Sequence, residues 1–98
     1  MKQLFAVIHL RGPAWNSSSP LEGQLDWVPH KDFMNALHAE GFCLLAGPLK
    51  ESLNVLLIVR AESADEVRAR ISQDPWIQKD LLRFSIVAPW DLRIGALD

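Results

Sequence analysis

Four stretches of the chain carry nearly unbroken apolar runs, and two others carry apolar residues at helical spacing. The runs QLFAVIHL (3–10), FCLLAGPL (42–49), LNVLLIVRA (53–61) and LLRFSIVAPW (81–90) are rich in β-branched and other apolar residues and are bounded by turn signals. They predict strands. Between the first two lies WVPHKDFMNALHAEG (27–41), where Phe33, Ala36 and Leu37 fall at i, i+3 and i+4 and Met34 widens the stripe. This spacing predicts a helix. Asp26 precedes it as a cap, Pro29 sits in its first turn, where a missing N–H costs little, and Gly41 stops it. In SADEVRARIS (63–72), Ser63 and Glu66 have capping-box spacing and Ala64, Val67 and Ile71 form the buried stripe of a second helix. A short turn around Lys50 to Ser52, after Gly47-Pro48, makes the second and third strands an antiparallel hairpin. The predicted order, β-α-β-β-α-β, is the α+β ferredoxin-like arrangement: one antiparallel sheet with two helices on one face.

A sheet covered on one side only should alternate apolar and polar residues. LFAVI, CLLA and VLLIV do not; they are apolar on both faces. With no helix left over, the economical cover is a second copy of the same sheet. The pattern predicts a homodimer packed sheet to sheet, burying well over roughly 1,000 Å² in total.

The 98 residues are enough for one domain, residues 1–98, with a modest core. The formal charge is −2 and no Lys/Arg stripe appears, which speaks against nucleic acid as a partner. The apolar run after Met1-Lys2-Gln3 is too short for a membrane span and lacks the cleavage site of a signal peptide. The single cysteine, Cys43, has no internal disulfide partner. Together these predict a cytoplasmic protein with no membrane partner, in which Cys43 is a small buried packing residue. Residues 11–26, RGPAWNSSSPLEGQLD, form a long polar connection of the kind that is usually functional or disordered. Its one aromatic, Trp15, suits a lid over a pocket as well as a place on the surface.

Five short elements, taken in order, resemble the YCII-related (YciI-like) family. They are His30 at the start of the first helix, Gly41 closing it, Ala46-Gly47-Pro48 after the second strand, Asp74-Pro75 after the second helix, and Pro89-Trp90 after the last strand. The resemblance implies a dimeric α+β barrel with a pocket on each protomer, where His30 and Asp74 act as a pair. The family is similar to the muconolactone isomerase group of barrels and includes a dehydrochlorinase acting on a chlorinated aromatic. The long loop bearing Trp15 and the C-terminal tail depart from the family pattern.

The chemistry of such a pair is simple. A carboxylate on one ring nitrogen fixes a histidine's tautomer and orientation, leaving the other nitrogen to take or give a proton. From spacing alone, contact between His30 and Asp74 stays open. Asp74 also reads as the cap of a short helix over PWIQKD with proline at its first position, and His30 as a half-exposed residue near a helix start. Gly47 and Pro48 are expected in a tight turn whose backbone lines the pocket. Trp15, Trp76 and Trp90 are the aromatic candidates around the ligand, although residues such as Trp76 and Trp90 more often serve core packing than ligand binding.

His9 reads as a satisfied core or interface histidine. His38 follows His30 by eight residues, not four, and no H-E-x-x-H or C-x-x-C exists, so neither a metal nor another cofactor is expected. Ser17 to Ser19 have no partner at a recognisable spacing, and Arg68 and Arg70 read as a solvated helix face. The leading expectation is a homodimeric, enzyme-like protein performing isomerase- or lyase-type proton transfer on a small cyclic or aromatic molecule. Its rivals are a small-molecule binding or sensing module and a structural dimer without catalysis.

Overall fold

A computed structural model describes residues 1–97. The chain runs β1 (Gln3–Arg11), a 3-10 turn (Leu21–Gly23), α1 (Trp27–Ala39), β2 (Cys43–Pro48), β3 (Asn54–Ala61), α2 (Ala64–Ile71), α3 (Pro75–Gln78) and β4 (Leu82–Pro89). The strands form one antiparallel sheet in the order β2-β3-β1-β4. This is the ferredoxin-like α+β arrangement that the apolar pattern predicts. Among the described residues, no helix is long and apolar enough to cross a membrane.

Side chains on a strand alternate between faces, and β1 shows which face is the core. Phe5 and Val7 are buried, and their cross-strand partners on β3, Val59 and Leu57, are buried with them. Leu37 of α1 and Val67 and Ile71 of α2 join this cluster, which places both helices on that face. Burying each such side chain stabilises the fold by about 1.5–3 kcal/mol. The opposite face carries Ile8 opposite Leu56 and Ile86, and Ala6 opposite Ile58. It stays apolar and partly open: Leu45 is 55% and Ile86 49% exposed.

Local chemistry accounts for most boundaries. Ser63 caps α2 by accepting the Glu66 N–H at 3.1 Å, and the Glu66 carboxylate accepts the Glu62 N–H at 2.7 Å, one residue earlier than the usual capping box. Gly41 ends α1 at φ 80°, a left-handed conformation that costs glycine little.

Three expectations need correction. Ala36 is exposed, and the inward stripe of α1 is Phe33, Met34 and Leu37; Ala36 lies about 100° around the helix from Leu37. Asp26 precedes α1 but its side chain caps nothing; the residue is left-handed (φ 58°) and its carboxylate pairs with Lys79. Gly47 and Pro48 are the last residues of β2, not a turn. An edge strand tolerates a proline at its end, and the reversal comes afterwards, at Glu51 with φ 63°.

Candidate active site

The segment Ile71–Trp76 decides the site. After α2, the Asp74 N–H bonds the Ile71 carbonyl at 2.9 Å and its backbone turns extended. Pro75 then opens α3, and Asp74 Oδ1 accepts the Trp76 N–H at 3.0 Å. Asp74 is thus the cap its sequence context suggests. It is also 1% exposed, and a carboxylate so deeply buried needs further donors. His30, in the first turn of α1, supplies one: its Nδ1 lies 2.9 Å from both Asp74 oxygens. An ionised carboxylate only accepts, so Nδ1 carries the proton and Nε2 is the nitrogen left over.

Trp76 holds the ring from one face. The His30 and Trp76 rings stack with centroids 3.7 Å apart and planes 7° from parallel. Trp76 is itself fixed, 1% exposed and donating its indole N–H to the Leu25 carbonyl at 2.6 Å. Imidazole, carboxylate and indole therefore form one rigid unit built from residues 44 positions apart.

This unit borders a cavity of about 490 Å³, within the range typical of small-molecule pockets. Its apolar wall includes Leu21, Met34, Val55, Leu57 and Leu82, and the remaining expected residues Trp15, Gly47 and Pro48 also line it. Trp90 does not. It is 40% exposed, and its N–H bonds the Leu4 carbonyl at the start of β1, whereas the cavity lies near the start of β4 at Leu82. A strand of this length separates its ends by roughly 23 Å.

The long loop is folded inward rather than disordered. Gly12 begins it, donating to the Leu81 carbonyl at 2.8 Å; a Cβ there would meet the Asp80 carbonyl oxygen at 2.2 Å, so only glycine fits. Trp15 then packs edge-on against Trp76 at 5.2 Å, and the Arg11 guanidinium covers its outer face at 4.5 Å. Gln24, 4% exposed, ties the loop together: its Oε1 accepts the Asn16 N–H at 2.9 Å, and its Nε2 donates to the carbonyls of Asn16 (2.7 Å) and Ser19 (3.1 Å). No sequence signal marks this residue, one of two amides within a polar segment.

For His9 the sequence misjudges the partners rather than the position. It is buried as expected, at 1% exposure, but it is not satisfied: neither ring nitrogen has a hydrogen-bond partner. It too lines the cavity. Burial lowers its pKa to about 4, with the Asp74 charge working against that shift and the His30 charge with it. A bulge interrupts the β1–β4 register at this residue, between Ile8 and His9. His38, by contrast, is engaged through Nδ1 with the Cys43 carbonyl at 2.9 Å.

Cys43 is 3% exposed, and burial pushes its thiol pKa up, the opposite of what a nucleophile needs. Arg68 is exposed with its guanidinium over the Phe84 ring at 5.4 Å, and Arg70 lies over Phe42 and pairs with Glu40. Among the described residues, no group of three or more His, Cys, Asp or Glu side chains is placed to hold a metal ion. No protein-family model matches the chain, and no curated protein matches it significantly.

Proposed function

We propose that this protein is an enzyme of the YciI-like type, a cytoplasmic homodimer that catalyses proton transfer on a small cyclic or aromatic molecule. One observation carries this reading: His30 Nδ1 held 2.9 Å from both oxygens of the buried Asp74, on the wall of a cavity of ligand size. The carboxylate keeps the proton on Nδ1, so Nε2 meets the substrate as a base. In the forward step Nε2 takes a proton from a carbon next to a carbonyl or a leaving group. The C–H electron pair becomes a new carbon–carbon double bond, and beside a carbonyl the C=O π pair moves onto oxygen to give an enolate. In an isomerisation the proton returns from Nε2 to another carbon; in an elimination the leaving group departs with its own electron pair and the proton passes to solvent. The stacked Trp76 ring prevents the imidazole from swinging away between the two transfers.

The homodimer is supported by the partly open apolar sheet face around Ile8, Leu45 and Ile86, which a second copy would cover. Sedimentation at micromolar concentration tests it, and a monomer would remove this part of the proposal.

The reaction is tested by screening cyclic β,γ-unsaturated ketones, lactones and halogenated cyclic substrates for exchange of a carbon-bound proton with deuterated water. Exchange should occur with the wild-type protein and fall by roughly 100-fold or more in His30→Gln, since general acid–base catalysis contributes that much. Exchange that survives both His30→Gln and Asp74→Asn would remove the dyad from the mechanism.

A further inference from the structure

The dyad explains one wall of the cavity and leaves His9 unexplained. On β1, the residues that share its face, Phe5 and Val7, are hydrocarbon core. Its cross-strand neighbours are Val55 and Phe84, neither of which offers a polar side chain. The Phe84 ring meets the imidazole edge-on at 5.0 Å and 88°, a favourable aromatic contact that satisfies neither nitrogen. A leucine at this position would close the core without leaving a buried donor and acceptor unmade, so an orphaned imidazole here is a standing loss of stability. Both nitrogens expose less than 1 Å² of surface, although the residue borders the cavity. A partner therefore reaches them only when the ring turns toward the cavity it borders, and a molecule filling that cavity can supply one. A bulge in the β1–β4 register falls beside His9, with Ser85 of β4 as the extra residue, and bulges are over-represented next to active sites.

We propose that His9 is a ligand-contact residue whose neutral imidazole hydrogen-bonds a hydroxyl group on a ring-bodied molecule held between it and His30. The chemistry of the partner follows from the donor set. A neutral imidazole has one N–H and one lone pair. A hydroxyl can both donate and accept, so it satisfies whichever nitrogen it reaches. A carboxylate can use only the N–H and an ammonium only the lone pair. The depressed basicity of His9 keeps it neutral near pH 7, so it binds without competing with His30 for the transferred proton. Trp15, Trp27 and Trp76, which also line the cavity, provide ring faces for the body of such a ligand. The assignment rests on the proposed function for the ring-bodied occupant, but not on catalysis by the dyad.

The test uses phenol and toluene, two rings of similar size that differ by a hydroxyl for a methyl. Each is titrated into the full chain, with side-chain 15N spectra of the histidines recorded alongside. Phenol should move the His9 ring resonances and toluene should leave them in place. The phenol-to-toluene affinity ratio should fall on the order of tenfold in His9→Leu, the loss of one hydrogen bond, with His9→Gln recovering part of it. His9→Leu adds only hydrocarbon to a hydrocarbon core, and its folding is checked by its amide spectrum. Failure of phenol to bind, a ratio unchanged in His9→Leu, or His9 resonances already fixed by a water that phenol does not displace would each overturn the assignment. The same ratio in His30→Gln separates the two readings. If it is retained while proton exchange is unaffected, the dyad fails and His9 stands; if exchange is lost and the ratio is insensitive to His9, the reverse holds.

Discussion

His30 and His9 line one cavity in opposite circumstances. His30 is spoken for on one ring nitrogen, held 2.9 Å from a buried carboxylate and stacked flat on Trp76. His9 is more deeply buried, yet both of its nitrogens lack a partner. The contrast separates two ways in which a polar group tolerates burial. A charged group survives by being paired, and Asp74 is paired twice, by the Trp76 N–H and by His30. A titratable group without a partner survives by staying neutral, and His9 does so at the expense of its basicity, its pKa lowered to about 4. One wall of the pocket therefore carries a paired imidazole, and the other an imidazole with neither nitrogen bonded.

Breaking the paired side should have the largest effect. Asp74→Ala removes the α3 cap and the acceptor for His30 together, and should destabilise the protein by about 3–5 kcal/mol in urea unfolding. Asp74→Asn keeps the capping oxygen and should lose less than half of that. Equal losses in the two variants would mean that the His30 contact, not the cap, carries the whole effect.

The unpaired side should show itself through pH. An unfolded histidine titrates near 6.5 and folded His9 near 4. Above pH 6.5 both states are neutral at this residue and its contribution to stability is fully present. As pH falls through the window from 6.5 to 4, the unfolded chain takes up a proton that the folded protein refuses, so stability is lost, on the order of 3 kcal/mol by the lower end. The Asp74 and His30 charges facing His9 act on the size of this loss but do not reverse its sign. Urea midpoints measured at pH 7 and pH 4 should therefore lie closer together in His9→Leu than in the wild type; equal spacing would show that His9 is already protonated or already partnered when folded.

Smaller effects sharpen the same contrast. Gln24→Ala leaves the Asn16 N–H and the Asn16 and Ser19 carbonyls without their side-chain partner and should cost about 1–3 kcal/mol. Hydrogen exchange should rise at Asn16 while the β1 amides stay protected, because the loop that carries Trp15 loosens without disturbing the sheet. Arg70→Ala should change stability by less than about 1 kcal/mol, since its pair with Glu40 is exposed and screened. A larger loss there would come from its contact with the Phe42 ring.

The fold was legible because its signals are local. Each strand is an apolar run a few residues long, α1 is marked by an apolar stripe ending at Gly41, and α2 is marked by Ser63 with Glu66. Errors appeared where neighbours in space outvote neighbours in sequence. Asp26 has a cap's position but gives its carboxylate to Lys79, 53 residues away. Gly47-Pro48 has the composition of a turn but is pulled into β2 by pairing with Leu56 and Val55. Trp90 follows the same strand as the cavity residue Leu82, but β4 runs antiparallel to β1 and carries it to the far end of the sheet.

The site divides in the same way. The sequence by itself determined that Asp74 caps a helix beginning at Pro75, because an N-cap needs only an acceptor two residues before a free N–H. It also determined the order of strands and helices, since hydrophobic periodicity is set by residues within a turn or two of one another. Only the tertiary structure decided that this cap also holds His30, that Gln24 folds the long loop inward, and that His9 ends with neither nitrogen bonded. Those outcomes depend on which groups packing brings together across 44 residues or shuts away from water, and no local pattern along the chain encodes such a distance.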